Sequence, residues 1–282
     1  MGDVFVGRDA VAAGRLTRRD LAKHYRAILR GVYLPAWQEP SLTDRLTAVS
    51  LAAPSAVIAG VAAAALHGAK WVDPDIPVEV ISANRPQPGL VIRRDTLASD
   101  EVGTVSGIRV TTPVRTAFDL ARQLPLGQAV ARLDALMAAR PFSSEDVLVL
   151  AKRHTGARGL RRLRVAIPLV DPGAASPRET RLRLLLISAG LPRPTTQIVV
   201  TDEGGRFLRR LDMGWRQYLV AAEYDGDQHR TDRSQFVKDV RTGPKLNTLG
   251  WNVIRVLKED RDDDVVRAVR NALIARGWRP PD

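Results

Sequence analysis

Three carboxylates stand where their types and spacing could do chemistry. Glu179 lies three residues after Ser176 in Ser176-Pro177-Arg178-Glu179, and Asp212 and Glu223 fall on two later runs of strand-like residues. Asp225 follows Glu223 by two positions, so the period of an extended chain turns both side chains to one face. The run Leu219-Val220-Ala221-Ala222 is apolar until it meets these acids. Clustered acids repel one another unless a cation joins them. Hard oxygen donors with room for water suit Mg²⁺ or Mn²⁺. Such an ion polarises a phosphoryl oxygen, lowers the pKa of bound water and stabilises a leaving alkoxide.

The elements that must position these acids can be read around them. Ser176 as N-cap, Pro177 in the first turn and Glu179 at N3 predict a helix that opens on a capping box and ends near Gly190. Thr196 to Val200 reads as a strand, Asp202-Glu203-Gly204-Gly205 as a hairpin turn, and Phe207 to Trp215 as the return strand carrying Asp212. A second turn leads into the strand of Glu223 and Asp225. A helix is expected from Ser234 to Leu249, and a last strand carries Arg255.

Each residue also has a plainer reading. Glu179 can serve only as a helix cap, and Asp212 can end a strand before Met213-Gly214. Asp227 belongs to the turn Asp225-Gly226-Asp227, and His229 can be an ordinary surface histidine. Lys238, Asp239, Arg241 and Lys245 read mostly as a solvated helix face, with Arg241 the best placed to touch phosphate. Arg255 is open between the site and the sheet edge, and Trp215 and Trp251 read as core.

The order helix–Glu, strand–Asp, then strand–Glu-x-Asp resembles the PD-(D/E)XK nucleases, in the branch related to very-short-patch-repair endonucleases. The phrases that carry the resemblance are Ser176-Pro177-Arg178-Glu179-Thr180, Leu211-Asp212-Met213-Gly214-Trp215, Glu223-Tyr224-Asp225-Gly226-Asp227-Gln228-His229 and Gly250-Trp251-Asn252-Val253-Ile254-Arg255-Val256. It implies an α/β restriction-endonuclease-like domain, with a mixed central sheet flanked by helices. By the same resemblance Asp212 and Glu223 hold Mg²⁺ or Mn²⁺, and Glu179 is an auxiliary ligand or orients the attacking water. The superfamily's usual lysine, two residues after the second acid, is here Asp225. Asp225 is then a further candidate ligand, and His229, Lys238 or Arg255 a candidate acid–base or phosphate-binding group.

Upstream, Val6 to Ala13 reads as a short helix, and Thr17 as the N-cap of a second that begins Arg18-Arg19-Asp20-Leu21. Tyr25 to Leu29 leads into Arg30-Gly31, a turn, and a short β-run at Val32-Tyr33-Leu34. Helix, turn, helix and strand is the outline of a winged helix. Two helices are expected between Ser41 and Ala69, then strands at Pro77–Ile81, Leu90–Arg93 and Ile108–Val110. Thr112 and Pro113 start another helix, and Gly127 to Met137 a further one. Residues 151–164 hold six basic side chains and no acid, broken by Gly156 and Gly159. The phrases Leu16-Thr17-Arg18-Arg19-Asp20-Leu21, Leu29-Arg30-Gly31-Val32-Tyr33 and Thr111-Thr112-Pro113-Val114-Arg115-Thr116-Ala117-Phe118-Asp119-Leu120 resemble AbiE-type antitoxins and related transcriptional regulators. That likeness implies a winged helix joined to an α+β domain, DNA binding through Arg18, Arg19, Lys23, Arg26 and Arg30, and a cognate toxin as a further partner. The expected domains are a winged helix over 1–40, an α+β domain over 41–150, a basic linker over 151–175 and the nuclease-like domain over 176–282.

Composition agrees with a nucleic-acid partner. The 282 residues carry a net charge of +12, with 23 basic against 16 acidic residues up to Ala175 and 20 against 15 after it. A basic excess spread over both halves attracts phosphate backbones by counterion release. There is no cysteine, which excludes disulfide scaffolds, thiolate zinc sites and thiol catalysis and fits a reducing compartment. No signal-peptide pattern opens the chain, and the apolar run from Ala52 to Leu66 is too short and interrupted to span a bilayer, so a cytoplasmic protein off the membrane is expected. The sequence thus supports a DNA-binding protein with a metal-dependent nuclease domain in which Arg158, Arg161, Arg162, Lys238, Arg241 and Arg255 add phosphate contacts. Its alternatives are a DNA-binding regulator or antitoxin that keeps the nuclease fold as a binding module, and an interaction protein whose charge is incidental.

Overall fold

The computed structural model describes residues 4–82, 87–225 and 242–280. The chain divides into two compact units, Met1–Pro168 and Leu169–Asp282, both mixing helices and sheet.

The first unit opens with β1 (Phe5–Val6), α1 (Gly7–Ala12) and α2 (Arg18–His24), followed by the hairpin β2 (Tyr25–Leu29) and β3 (Val32–Pro35). These strands form an antiparallel sheet in the order β1-β3-β2. Thr17 and Asp20 close a reciprocal capping box at the head of α2, which adds the N3 acid to the cap read from the sequence. Gly31 turns the hairpin at φ 81°, a conformation costly for a residue with a Cβ. Tyr25–Leu29 is a strand, paired antiparallel with β3 from Tyr25 opposite Pro35 to Leu29 opposite Val32, and the register shift between Ala27 and Leu29 lets Leu29 turn into the core while Ala27 faces out.

After α3 (Leu42–Ala52), a five-stranded sheet forms in the order β6-β5-β4-β8-β7 from β4 (Val57–Ile58), β5 (Val78–Ile81), β6 (Leu90–Arg93), β7 (Val102–Val105) and β8 (Ile108–Thr111). Helix α4 (Gly60–Leu66) follows β4 directly. Leu29 and Val32 pack in one apolar cluster with Leu46 and Val49 of α3 and with Ile58, Val78, Val80 and Val110 of this sheet. The first forty residues therefore share a core with α3 and the five-stranded sheet. Four helices complete the unit: α5 (Pro113–Gln123), α6 (Leu126–Ala139), α7 (Ser144–Arg153) and α8 (Leu160–Ala166). The stretch expected as a basic linker from 151 supplies the end of α7 and all of α8. Its arginines face outward while Ala151, Leu163 and Ala166 are buried, so an amphipathic helix pattern underlies the charge run.

A buried ionic network pins α5 to the rest. Arg115 is 1% exposed and donates through Nε to Asp119 Oδ2 at 2.9 Å, through Nη1 to Thr96 O at 3.1 Å and to Glu101. Arg122 holds the other oxygen of Asp119, at 2.9 Å through Nε, and also pairs with Asp95. His154, at the end of α7, lies 2.8 Å from the second oxygen of Glu101. Both guanidinium groups lie over the Phe118 ring, at 5.4 and 5.1 Å.

The second unit starts with α9 (Pro177–Ser188). Its sheet has the order β12-β11-β10-β9, from β9 (Thr195–Thr201), β10 (Phe207–Trp215), β11 (Val220–Asp225) and β12 (Asn252–Leu257). The first three of these strands run antiparallel, and β12 is parallel to β11. The crossover between β11 and β12 includes the helical residues 242–248 (α10), and α11 (Asp262–Ala275) follows β12. Leu182 and Leu186 of α9 pack with Val265, Val269 and Leu273 of α11 against Met213, Trp215, Val220 and Ala222. Leu246 of α10 and Trp251 cover Ile198, Val200, Leu211 and Ala221. The sheet is thus a middle layer between two helical ones. No helix among the described residues is long and apolar enough to cross a membrane.

Removing one member of a buried ion network leaves its partners charged and unpaired. Asp119→Ala is expected to destabilise the first unit by about 3–5 kcal/mol, read as a fall in the urea midpoint of its unfolding transition; Asp75→Ala, at an exposed position of the same unit, serves as the near-neutral control.

Candidate functional site

Glu179 sits at the head of α9. Ser176 Oγ accepts the Glu179 N–H at 3.2 Å, the cap half of the expected capping box. The Glu179 carboxylate reaches past the cap, accepting from Ala175 N at 2.9 Å and from Gln197 Nε2 at 3.1 Å. Gln197 comes from the middle of β9 and holds φ 51°, a left-handed backbone at a residue with a Cβ. Beside it the sheet loses its alternation. Leu211 packs in one apolar cluster and Met213, two residues on, in the other. Asp212 lies between them, just as Gln197 lies between their partners Ile198 and Thr196. Burial pushes the Glu179 carboxyl above its ordinary value, the charge of Asp212 adds to the rise, and the bonds from Ala175, Ser176 and Gln197 oppose it.

Asp212 Oδ2 accepts the Tyr224 N–H across the β10–β11 ladder at 2.9 Å. Glu223, 6% exposed, is held by a fork from Arg209, with Nε 3.1 Å from Oε1 and Nη2 2.9 Å from Oε2. Burial raises the Glu223 pKa to about 7 against the lowering effect of Arg209; Asp212 raises it further and Arg255, its Cα partner on β12, lowers it. The charge of Asp212 is therefore felt by both glutamates, and the fold brings Glu179, Asp212 and Glu223 into one electrostatic set. Asp225 is half-buried at the end of β11, opposite Leu257. Among the described residues no three His, Asp or Glu side chains converge closely enough to hold a metal ion. His229, Lys238 and Arg241 lie outside the described residues.

Two partners of this set escaped the reading of the sequence: Arg209 and Gln197. An arginine in mid-strand was the available signal for the first. Nothing local announces the second. Beside the set, the Arg178 guanidinium lies 5.2 Å from the Tyr224 ring centre and donates to its hydroxyl.

In the first unit, Arg18, Arg19 and Lys23 are exposed on α2, and Arg30 is exposed at the hairpin turn. Arg26 is engaged differently: it is half-buried, donating to Glu39 at 3.1 Å and to the Gln38 carbonyl, which ties the hairpin to the chain after β3. Arg158, Arg161 and Arg162 are exposed around α8, and Arg255 is exposed on β12.

Residues 51–169, from the end of α3 to the end of the helices, match the AbiEi antitoxin C-terminal domain. Along 239 residues the chain is 30% identical to two uncharacterized proteins of Mycobacterium tuberculosis, MT2308 of strain CDC 1551 / Oshkosh and Rv2248 of strain ATCC 25618 / H37Rv, covering 82% of this chain and 84% of each relative. The chain belongs to one family with these two mycobacterial proteins. No solved structure matches it.

The raised pKa of Glu223 has a definite sign. Its folded value of about 7 lies above the ordinary 4.5, so its contribution to stability is full below about pH 4.5 and is lost as the pH rises through 7, by about 3 kcal/mol in all. Urea unfolding of the second unit at about pH 5 and pH 8 should show this loss in the wild type and a clearly shallower one in Glu223→Gln.

Proposed function

We propose that this protein is a DNA-binding regulator of the antitoxin type. The match to the AbiEi antitoxin domain over residues 51–169 carries the reading. The arrangement ahead of that domain supports it: a strand, two short helices and a β-hairpin, in a sheet of order β1-β3-β2, suit a winged helix. In that reading α2 is the helix presented to the duplex. Arg18, Arg19 and Lys23 make phosphate contacts from it, and Arg30 makes one from the tip of the hairpin. Arg26 acts within the protein by holding the hairpin in place. The net charge of +12 supplies the long-range attraction. A cognate toxin is a second partner in the same proposal.

A second reading, a metal-dependent phosphodiesterase of restriction-endonuclease-like fold, is favoured by one observation: the electrostatic coupling of Glu179, Asp212 and Glu223. Among the described residues the donors as arranged do not suit Mg²⁺ or Mn²⁺. Both Glu223 oxygens face the Arg209 fork, Asp212 Oδ2 is taken by Tyr224 N–H, and Glu179 is held by Ala175 and Gln197. Such an arrangement does not support a hydrolytic step, and the regulator reading stands first.

Fluorescence anisotropy with a labelled duplex at graded salt tests the proposal. Replacing Arg18, Arg19 and Lys23 together by Ala should weaken binding and flatten the slope of log K against log salt by close to 0.9 for each phosphate no longer neutralised, about 3 in all. An unchanged slope would place the phosphate contacts elsewhere. Incubating plasmid with the protein in Mg²⁺ or Mn²⁺ separates the two readings: intact DNA is expected, and cleavage abolished by Asp212→Ala would favour the phosphodiesterase.

A further inference from the structure

We infer that Arg209 is the built-in cation of the acidic set in the second unit, closing it against divalent metal. The guanidinium meets Glu223 through two parallel bonds, 3.1 and 2.9 Å long, the fork arrangement that matches a carboxylate best. Its third nitrogen, Nη1, lies 3.4 Å from Thr242 Oγ1, so the side chain is fixed on both sides. The pair is largely out of water, with side-chain exposures of 17% and 8%. In that setting a charge-assisted fork is worth more than on a surface, and separating it leaves two desolvated charges.

A divalent ion at Asp212 and Glu223 would have to displace this fork and then stand beside the guanidinium it had displaced. A further arginine, Arg255, is the Cα partner of Glu223 on β12 and lowers its pKa. With Asp212 bonded to Tyr224 N–H, the acids are bound into the sheet rather than gathered around an open centre. Their charge is offset by protein cations, so the unit can approach a phosphate backbone without a metal ion to screen its carboxylates. This deepens the regulator reading and rests on it only for the nucleic-acid partner.

The test uses the full-length protein and MnCl₂ alone, followed by calorimetry, without nucleic acid; failure here is therefore distinct from failure of DNA binding. Wild type should show no saturable Mn²⁺ binding in the millimolar range. Arg209→Met, which keeps the bulk and deletes the charge, should bind Mn²⁺ at least roughly tenfold more tightly, and adding Asp212→Asn should abolish the gain. Saturable binding by wild type that Asp212→Asn removes would overturn the inference, as would a folded Arg209→Met that binds no better than wild type. Should circular dichroism show Arg209→Met unfolded, Arg209→Gln decides in its place. It deletes the charge but keeps a hydrogen-bond donor, and Mn²⁺ binding stronger than wild type supports the inference while equal binding overturns it.

Discussion

The first unit depends on keeping one guanidinium charged in a place without water. Arg115 answers Asp119 on its own helix, Glu101 at the entry to β7 and the Thr96 carbonyl, and Arg122 and His154 draw Asp95 and α7 into the same network. Such a group gives little net stability compared with an apolar replacement, because desolvation consumes most of the Coulombic gain. Its effect is on geometry. A sheet and a helical layer held only by apolar contact can slide, whereas four polar partners around two arginines permit one register. The stretch that follows Thr111 therefore fixes the helical layer on the sheet, and it lies inside the segment that matches the antitoxin domain.

How much of this was legible depends on the range of the interactions. The start of α9 was readable because Ser176, Pro177 and Glu179 are neighbours in sequence, and so was the hairpin at Asp202–Gly205, where Asp202 accepts from Gly204 N and Arg206 N. The helix after Thr112 was equally plain, yet its network was not. The spacing of Arg115, Asp119 and Arg122 hinted at pairing on one helix face, but Glu101 and Asp95 reach it only through the fold. Strand β4 was hidden because two apolar residues in an alanine-rich run have no period of their own. The charge run around 151–164 masked the buried stripe of Leu163 and Ala166, and so read as a linker.

The acids were legible as a set and misleading as to their company. Glu179, Asp212 and Glu223 were placed on a helix and two strands by local pattern alone, and the sheet brings them into mutual electrostatic reach. Their counter-charges are non-local. Arg209 is 14 residues from Glu223, and Gln197 is 18 from Glu179. Neither pairing follows from a spacing rule. A sequence pattern can thus mark where negative charge collects without marking what neutralises it.

The left-handed backbone at Gln197 has an evolutionary consequence. A side chain in that conformation stores on the order of 1 kcal/mol, which glycine would release. Glycine would also delete the amide that holds Glu179. A hydrogen bond to a buried carboxylate is worth about 1.5–3 kcal/mol, more than the strain that glycine would relieve. The strained backbone at position 197 is therefore retained by the contact it makes, and durability and the acidic set select the same residue.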